Sequence, residues 1–105
     1  MPKQSSDLGR FSNPATLILS SLAGGPKHGY AMMEDIQQFS GTYLEPGTLY
    51  GAIGRLEQRG WIQPMESEDR RRPYRITAAG VAALQEQLAT MERIVSTAQH
   101  RIQVV

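Results

Sequence analysis

Apolar residues recur at helical spacing in the first part of the chain, between residues that favour the start and the end of a helix. Asn13 precedes Pro14, and an asparagine cap followed by proline is typical of a first helical turn. We expect this helix to end at the Gly24-Gly25-Pro26 segment. Its apolar positions are Leu17, Ile18 and Leu22.

A second helix is predicted from His28-Gly29 to Ser40, and Gly41 is expected to close it. A turn over residues 42–47 then leads to a third helix, which begins at Gly47 or Thr48 and ends at Arg59. The predicted inner face of the second helix consists of Tyr30, Met33, Ile36 and Phe39.

The third helix has an apolar face and an opposite face that is rich in small residues. At about 100° per residue, Leu49, Ile53 and Leu56 share the apolar side. Each glycine in a helix interior lowers the stability of the helix by about 1 kcal/mol relative to alanine. Glycines on this face therefore indicate that another group comes close to the helix backbone. Either a binding partner or a neighbouring helix could make that approach. The opposite face carries Thr48, Gly51, Gly54, Arg55 and Gln58.

The pattern then changes from helical to extended. Residues 61–65 fit a strand with Pro64 at an edge position, and residues 72–77 fit a returning strand in which apolar residues alternate with arginines. Between them lies a charged turn over residues 66–71. We interpret this region as a hairpin with a basic tip.

The last segment carries a heptad pattern. Its apolar positions recur at spacings of three and four residues, which predicts a helix over 78–105, capped by Thr77 and about 42 Å long. Such a helix is too long for the small preceding domain to cover, so we expect a second copy to pack on it in a homodimer; the alternative is packing across its own domain. The heptad seam consists of Val81, Leu84, Leu88, Met91, Val95, Ala98, Ile102 and Val105. The predicted dimer interface comprises Leu84, Leu88, Met91, Val95, Ala98 and Ile102.

The order of elements predicts a mainly α fold with a small β-hairpin. We divide the chain into a flexible arm at 1–12, a winged helix-turn-helix domain at 13–77 and a C-terminal dimerisation helix at 78–105. A length of 105 residues allows one domain, and 40% hydrophobic residues can supply its core. The chain has no cysteine, no apolar leader and no membrane-spanning run, so we expect a cytoplasmic protein.

Net charge is only +1, so any affinity for DNA depends on where the basic residues lie. The hairpin tip carries Arg70, Arg71 and Arg72 in succession. A helix-turn-helix places one helix in the major groove, and a basic ribbon beside it grips the phosphate backbone. The order of elements therefore favours DNA binding.

Three stretches resemble the PadR family of bacterial winged-helix transcription regulators. They are LILSSLAGGPKHGYAMMEDI at 17–36, EPGTLYGAIGRLEQRGWI at 45–62 and RRRPYRITAAG at 70–80. The resemblance implies a dimeric regulator, a repressor in our interpretation, with the third helix in the major groove and the wing on the DNA backbone. Its single C-terminal helix is similar to the compact subfamily. Four positions, Gly51, Gly54, Trp61 and Pro73, depart from the family pattern, which bears on operator preference.

Eight residues are predicted to contact DNA. Thr48 and Tyr50 begin the recognition helix, although Thr48 is also a candidate cap, and Arg55 could instead pair with a nearby glutamate. Lys27 and His28 precede the second helix, where backbone amides could hold a phosphate, although a structural role for His28 is the stronger alternative. The complete set is Lys27, His28, Thr48, Tyr50, Arg55, Arg70, Arg71 and Arg72.

Other functions find less support in the sequence. No catalytic motif and no metal-ligand spacing occur, so we predict neither an enzyme nor a cofactor. A small-molecule effector could occupy an adaptable pocket, although core filling is the simpler role for the side chains involved. A winged-helix module that binds another protein is the alternative function. The pocket candidates are Met32, Met33, Met65, Met91 and Trp61.

Overall fold

The computed structural model describes residues 13–67 and 69–103. The predicted arm at 1–12 and the last seam residue, Val105, lie outside the described residues. The elements in chain order are α1 (Pro14–Ala23), α2 (Gly29–Ser40), α3 (Pro46–Gln58), β1 (Ile62–Pro64), β2 (Tyr74–Ile76) and α4 (Ala78–Gln103).

Local capping explains where the first two helices begin and end. The Asn13 side chain accepts a hydrogen bond from the Thr16 amide at 3.2 Å, as the sequence predicts. Nδ1 of His28 accepts a hydrogen bond from the Ala31 amide at 3.3 Å and caps α2. Gly41, with a φ of 75°, adopts the left-handed conformation that ends α2.

Helix α1 lies at the centre of the domain, packed against α2, α3, α4 and β2. The predicted apolar faces of α1 and α3 are confirmed, because their predicted positions are all buried. These helices enclose one apolar core that continues through β1 to the first turns of α4. The core consists of Leu17, Ile18, Leu19, Leu22, Met32, Ile36, Leu44, Leu49, Ala52, Ile53, Leu56, Ile62 and Leu84.

The predicted inner face of α2 is partly wrong. Tyr30 and Phe39 are half exposed, whereas Met32 is fully buried together with Ile36. The buried side of the helix consists of Gly29, Met32 and Ile36, and Gly29 leaves room there for the side chain of Tyr50. Both aromatic residues are left at the edges of the buried face.

The hairpin forms as predicted, with shorter strands than the pattern suggested. Strands β1 and β2 are antiparallel, and Ile62 pairs with Ile76 while Pro64 pairs with Tyr74. On the other side of β2, Lys27 forms an isolated antiparallel bridge with Tyr74. Strand β1 is therefore the edge strand among the described residues, which suits Pro64 because proline has no amide to donate. We call this hairpin and its connecting turn, residues 62–76, the wing.

The long helix is anchored at its start and projects from the domain further on. The Thr77 hydroxyl oxygen accepts from the Gly80 amide at 3.1 Å, which confirms the predicted cap, and the hydroxyl donates to the Gly60 carbonyl at 2.7 Å. Leu84 is buried in the core of its own domain. Further along, Val95 is 52% exposed and Ile102 is 71% exposed. Beyond its first turns, α4 thus presents apolar side chains that the described part of the chain does not cover.

Candidate nucleic-acid interface

A groove of about 330 Å³ lies where the start of α2, the first turns of α3 and the tip of the wing meet. It brings together five of the eight predicted contact residues and adds three that the sequence analysis missed: Gly29, Tyr30 and Tyr74. We call it the basic groove because one of its walls consists of three consecutive arginines. Its lining consists of His28, Gly29, Tyr30, Tyr50, Arg70, Arg71, Arg72 and Tyr74.

The phenol of Tyr50 lies directly against Gly29 at the first residue of α2. A Cβ placed on Gly29 would lie 2.7 Å from Cζ of Tyr50 and 2.8 Å from its Cε1, and would also meet its hydroxyl oxygen. Ordinary carbon–carbon contacts are about 3.5–4.0 Å, so only glycine leaves room for this ring. The glycine therefore fixes the position at which the Tyr50 hydroxyl enters the basic groove.

Tyr74 contributes a phenol that stays protonated. Burial is the main cause that raises its pKa above the ordinary value of 10.0, and the nearby Glu57 carboxylate raises it further, whereas Arg72 opposes the shift. A protonated phenol can donate a hydrogen bond to an anionic oxygen. Together with Tyr30 and Tyr50, Tyr74 gives the groove three phenols beside three guanidinium groups.

The tip of the wing is organised by its own acidic and hydroxyl side chains. Asp69 accepts a hydrogen bond from the Arg71 amide at 3.1 Å, and Ser67 accepts one from the Asp69 amide at 3.2 Å. These short-range bonds shape the turn while the side chains of residues 70–72 remain exposed. Arg75 lies on β2 and donates to Gln63 on β1, so it is not part of the groove lining.

The outward face of α3 is open. Apart from the helix itself, no described atom lies within 4 Å of a Cβ placed on Gly54, and the same is true of Gly47. Packing of a neighbouring helix of this chain against Gly54, one of the two alternatives, is therefore wrong. Thr48 is exposed and is not the cap, because α3 starts at Pro46 after Glu45 and has no side-chain cap.

Arg55 lies outside the basic groove, on the other flank of α3. It lines a separate depression of about 140 Å³ that also includes Ala15 and Trp61. Trp61 in turn lies beneath the Arg59 guanidinium, 5.1 Å from the ring centroid, in cation–π geometry. Arg55 therefore lies on a different flank of α3 from Tyr50.

Lys27 has its side chain turned into the protein. Its ammonium donates to the Ser21 carbonyl at 2.6 Å and to the Gly25 carbonyl at 3.2 Å, and lies 3.9 Å from a carboxylate oxygen of Asp35. His28, its neighbour, combines the structural and the groove positions, because it caps α2 and also lines the groove.

The residues considered for an effector pocket lie in different parts of the molecule. Met32 is in the core, and Met33 and Trp61 pack against it, as core filling predicts. Met65 is exposed just after β1, at the end of the strand towards the tip of the wing. Met91 lines a groove of about 510 Å³ along α4, together with Leu88 and Val95. Within residues 13–67 and 69–103, no three potential metal ligands of the His, Cys, Asp or Glu type form a group.

Comparison with known proteins agrees with this architecture. The profile of the PadR-like transcriptional regulator family matches residues 18–86, about two thirds of the chain. The chain belongs to this family. PadR-like proteins are transcriptional regulators and not enzymes, which fits an interface made of phenols and guanidinium groups.

Individual relatives show how far the PadR similarity extends. The transcriptional regulator Rv3488 of Mycobacterium tuberculosis is 35% identical over 80 residues, which cover 73% of this chain and 74% of that protein. A 37.1 kDa protein in transposon TN4556 of Streptomyces fradiae is 42% identical over 85 residues, 81% of this chain. This chain spans 25% of the Streptomyces protein's length.

The fold is also found among solved structures. A PadR family transcription regulator from Clostridium difficile R20291 matches with a TM-score of 0.78 at 23% identity, over 87% of this chain and 99% of that chain. The recognised family and the winged-helix fold are therefore confirmed. None of the helices in the described residues has the length and apolarity needed to cross a membrane.

Proposed function

We propose that this PadR-like protein is a homodimeric, sequence-specific DNA-binding repressor that acts in the cytoplasm. In this proposal α3 enters the major groove and the wing lies on the phosphate backbone. The observation that carries it is the basic groove, in which the start of α2, the start of α3 and the wing converge with three guanidinium groups and three phenols. Side chains of these types hydrogen-bond phosphate oxygens, and positioning on the backbone depends on such contacts.

Within this proposal the predicted contact residues take different roles. Arg70, Arg71 and Arg72 neutralise phosphates, and the hydroxyl groups of Tyr50 and Tyr30 donate to the same backbone. Thr48 and Arg55 reach the DNA from the opposite flank of α3. His28 supports the groove as the cap of α2, and Lys27 is left out of the contact set because its ammonium bonds within the domain.

The dimer part of the proposal rests on α4. Apolar side chains beyond Leu84 are exposed along both flanks of the heptad seam, including Val95 on one side and Ile94 on the other. Full burial of one such side chain contributes about 1.5–3 kcal/mol, so pairing with a second copy is strongly favoured over exposure to water. A two-fold dimer then presents two recognition helices to successive major grooves, about 34 Å apart, and its operator is roughly palindromic.

The repressor role follows from occupancy: a dimer bound across a promoter denies that DNA to polymerase. Because self-regulation is common among such repressors, the region upstream of the protein's own gene is the first DNA to test. Binding is measured by fluorescence anisotropy against a shuffled duplex of the same composition, over a salt series. Tight binding that the shuffled duplex does not match supports the proposal. Equal, weak binding to upstream and unrelated promoter duplexes contradicts it and favours a protein-binding module.

A double variant, Arg70→Ala with Arg71→Ala, tests the wing and the dimer in one experiment. Each lost phosphate contact lowers the slope of log affinity against log salt by about 0.9. Two arginines in each of two wings therefore predict a decrease of about 3.6, whereas a bound monomer predicts about 1.8. Arg93→Ala on α4 is the control, because Arg93 lies far along the sequence from the wing and donates to Thr90 on its own helix. An unchanged slope in the double variant contradicts the wing assignment.

A further inference from the structure

Lys27 holds two parts of the domain together through its backbone. Its amide donates to the Tyr74 carbonyl at 3.2 Å, and the Tyr74 amide donates to its carbonyl at 3.1 Å. This pair of bonds adds a single residue of the α1–α2 connection to the free side of β2. The wing strands have three residues each, and an isolated two-stranded hairpin is at best marginally stable in water. The bridge therefore adds to what holds the wing, beside the packing of β1 on α3 and of β2 on α1 and α4.

The side chain of the same residue fixes the connection from the other end. Two carbonyls near the end of α1, those of Ser21 and Gly25, accept from the ammonium, and the Ser21 carbonyl also accepts from the Gly24 amide at 3.1 Å. Asp35 of α2 lies 3.9 Å from the ammonium, and it also accepts from the hydroxyl of the buried Ser21 at 2.7 Å. Lys27 thus joins the end of α1, the middle of α2 and strand β2.

This network lies next to the basic groove. Tyr74, which Lys27 holds by its backbone, lines the groove together with the arginines of the wing, and His28, the next residue, lines it from the α2 side. A shift of the connection would move both walls relative to each other. Binding then has to restore the arrangement, and each side chain that is immobilised on binding costs about 0.5–1.5 kcal/mol.

We propose that Lys27 is a positioning residue of the DNA interface: it sets the wing against α2 and α3 and contacts no phosphate. The proposal rests on the proposed DNA-binding function for its affinity readout, and its hydrogen-exchange readout is independent of DNA. It assigns to Lys27 a different role from the phosphate contact expected from the sequence. Its side chain is only 22% exposed, and the ammonium already faces two carbonyls and a carboxylate.

The test is Lys27→Met, which keeps a stem of the same length and removes the ammonium. At a temperature where the variant is fully folded, operator affinity falls about tenfold while the salt slope stays the same, because no phosphate contact is lost. In the free protein, hydrogen exchange of the Tyr74 and Lys27 amides accelerates relative to amides in the middle of α3. Arg93→Met, which removes one positive charge on α4, changes neither quantity.

Two outcomes would overturn the positioning role of Lys27. If the slope falls by about 1.8, one phosphate in each half-site, with unchanged exchange at Tyr74, Lys27 is a phosphate ligand and the proposal is wrong. Unchanged affinity and unchanged exchange also overturn it. If the wild-type protein binds no DNA, the proposed function fails, yet accelerated exchange in free Lys27→Met still supports the positioning role.

A second pair of variants keeps the test decisive should Lys27→Met fold poorly. Asp35→Ala and Glu34→Ala each remove one negative charge from α2, but Glu34 is exposed and lies outside the network. Loss of an acidic charge by itself raises affinity for DNA or leaves it unchanged. If Asp35 acts by positioning Lys27, Asp35→Ala lowers the affinity for the operator threefold or more, which corresponds to the free energy of about one hydrogen bond, and Glu34→Ala does not lower it. A matching gain in both variants overturns the proposal.

Discussion

Alanine at Gly29, a residue that we do not place on DNA, changes the interface by displacing Tyr50. The new methyl group would overlap the Tyr50 ring, since its position lies 2.7 Å from Cζ and 2.8 Å from Cε1. To restore an ordinary contact of about 3.5–4.0 Å, the ring has to move by about 1 Å. Tyr50 is 53% exposed, so the ring has solvent to move into and the folded domain loses little stability.

The effect on DNA binding is much larger than the effect on folding. A shift of about 1 Å takes the phenol hydroxyl from hydrogen-bond distance, about 2.7 Å, to a distance at which the bond is lost. Hydrogen bonds to charged groups contribute about 1.5–3 kcal/mol. We therefore expect Gly29→Ala to weaken operator binding by about ten- to a hundredfold for each half-site.

A double-mutant cycle with Tyr50→Ala separates this mechanism from a general disturbance of α2. Affinity is measured by anisotropy and stability by urea unfolding for the wild type, both single variants and the double variant. Without the Tyr50 ring, Gly29→Ala leaves affinity unchanged and stabilises the fold by about 0.4–1 kcal/mol, because the φ of Gly29 is not positive and alanine fits there. Additive losses of affinity refute the reasoning, as does full affinity in the Gly29→Ala single variant.

Three further predictions concern the dimer, the groove and the anchor of α4. Val95→Glu places a charge on the heptad seam, outside the core, so light scattering is expected to show a folded monomer for this variant, in contrast to the dimer that we propose for the wild type. Because the pKa of Tyr74 is raised in the folded state, its phenol contributes stability that is fully present below pH 10.0 and is lost as pH rises through the folded-state pKa. In urea unfolding, the free energy of unfolding of Tyr74→Phe therefore falls less steeply at alkaline pH than that of the wild type. Gly80→Ala forces a methyl group against the Trp61 carbonyl and lowers the free energy of unfolding by about 1–3 kcal/mol. The control Gly54→Ala meets open space and raises the free energy of unfolding by about 1 kcal/mol. Equal effects of the two variants contradict the proposed contact.

Local signals in the sequence predict most of the fold because the short-range chemistry and the tertiary packing agree. The Asn13 cap, the left-handed Gly41 and the Thr77 cap each act within a few residues, and all three occur as predicted. The heptad spacing predicts the long helix, which begins at Ala78. Leu84 is the exception within the seam: it faces its own core, so the surface offered to a partner starts further along the helix.

The site was harder to predict because it depends on contacts between distant segments. Helical periodicity placed Tyr30 in the core, whereas the structure leaves it 57% exposed and lining the groove. Lys27 precedes a helix, where a lysine is a reasonable phosphate ligand, yet its ammonium caps the preceding helix instead. The glycine at 29 was available as a signal, since a glycine at the first residue of a helix permits a close neighbour, but only the structure shows that the neighbour is Tyr50.

A net charge of +1 is compatible with specific DNA binding when the charge is concentrated at the interface. Non-specific affinity depends on phosphate neutralisation over the whole surface, and acidic residues such as Glu66 and Asp69 around the wing reduce it. The three groove arginines, doubled in a dimer, give about six phosphate contacts and a salt slope of about −5.4. Raising salt from about 50 to 200 mM should therefore weaken operator binding about a thousandfold. A slope near zero would mean that the arginines do not reach phosphates, and the basic groove would then need a different ligand.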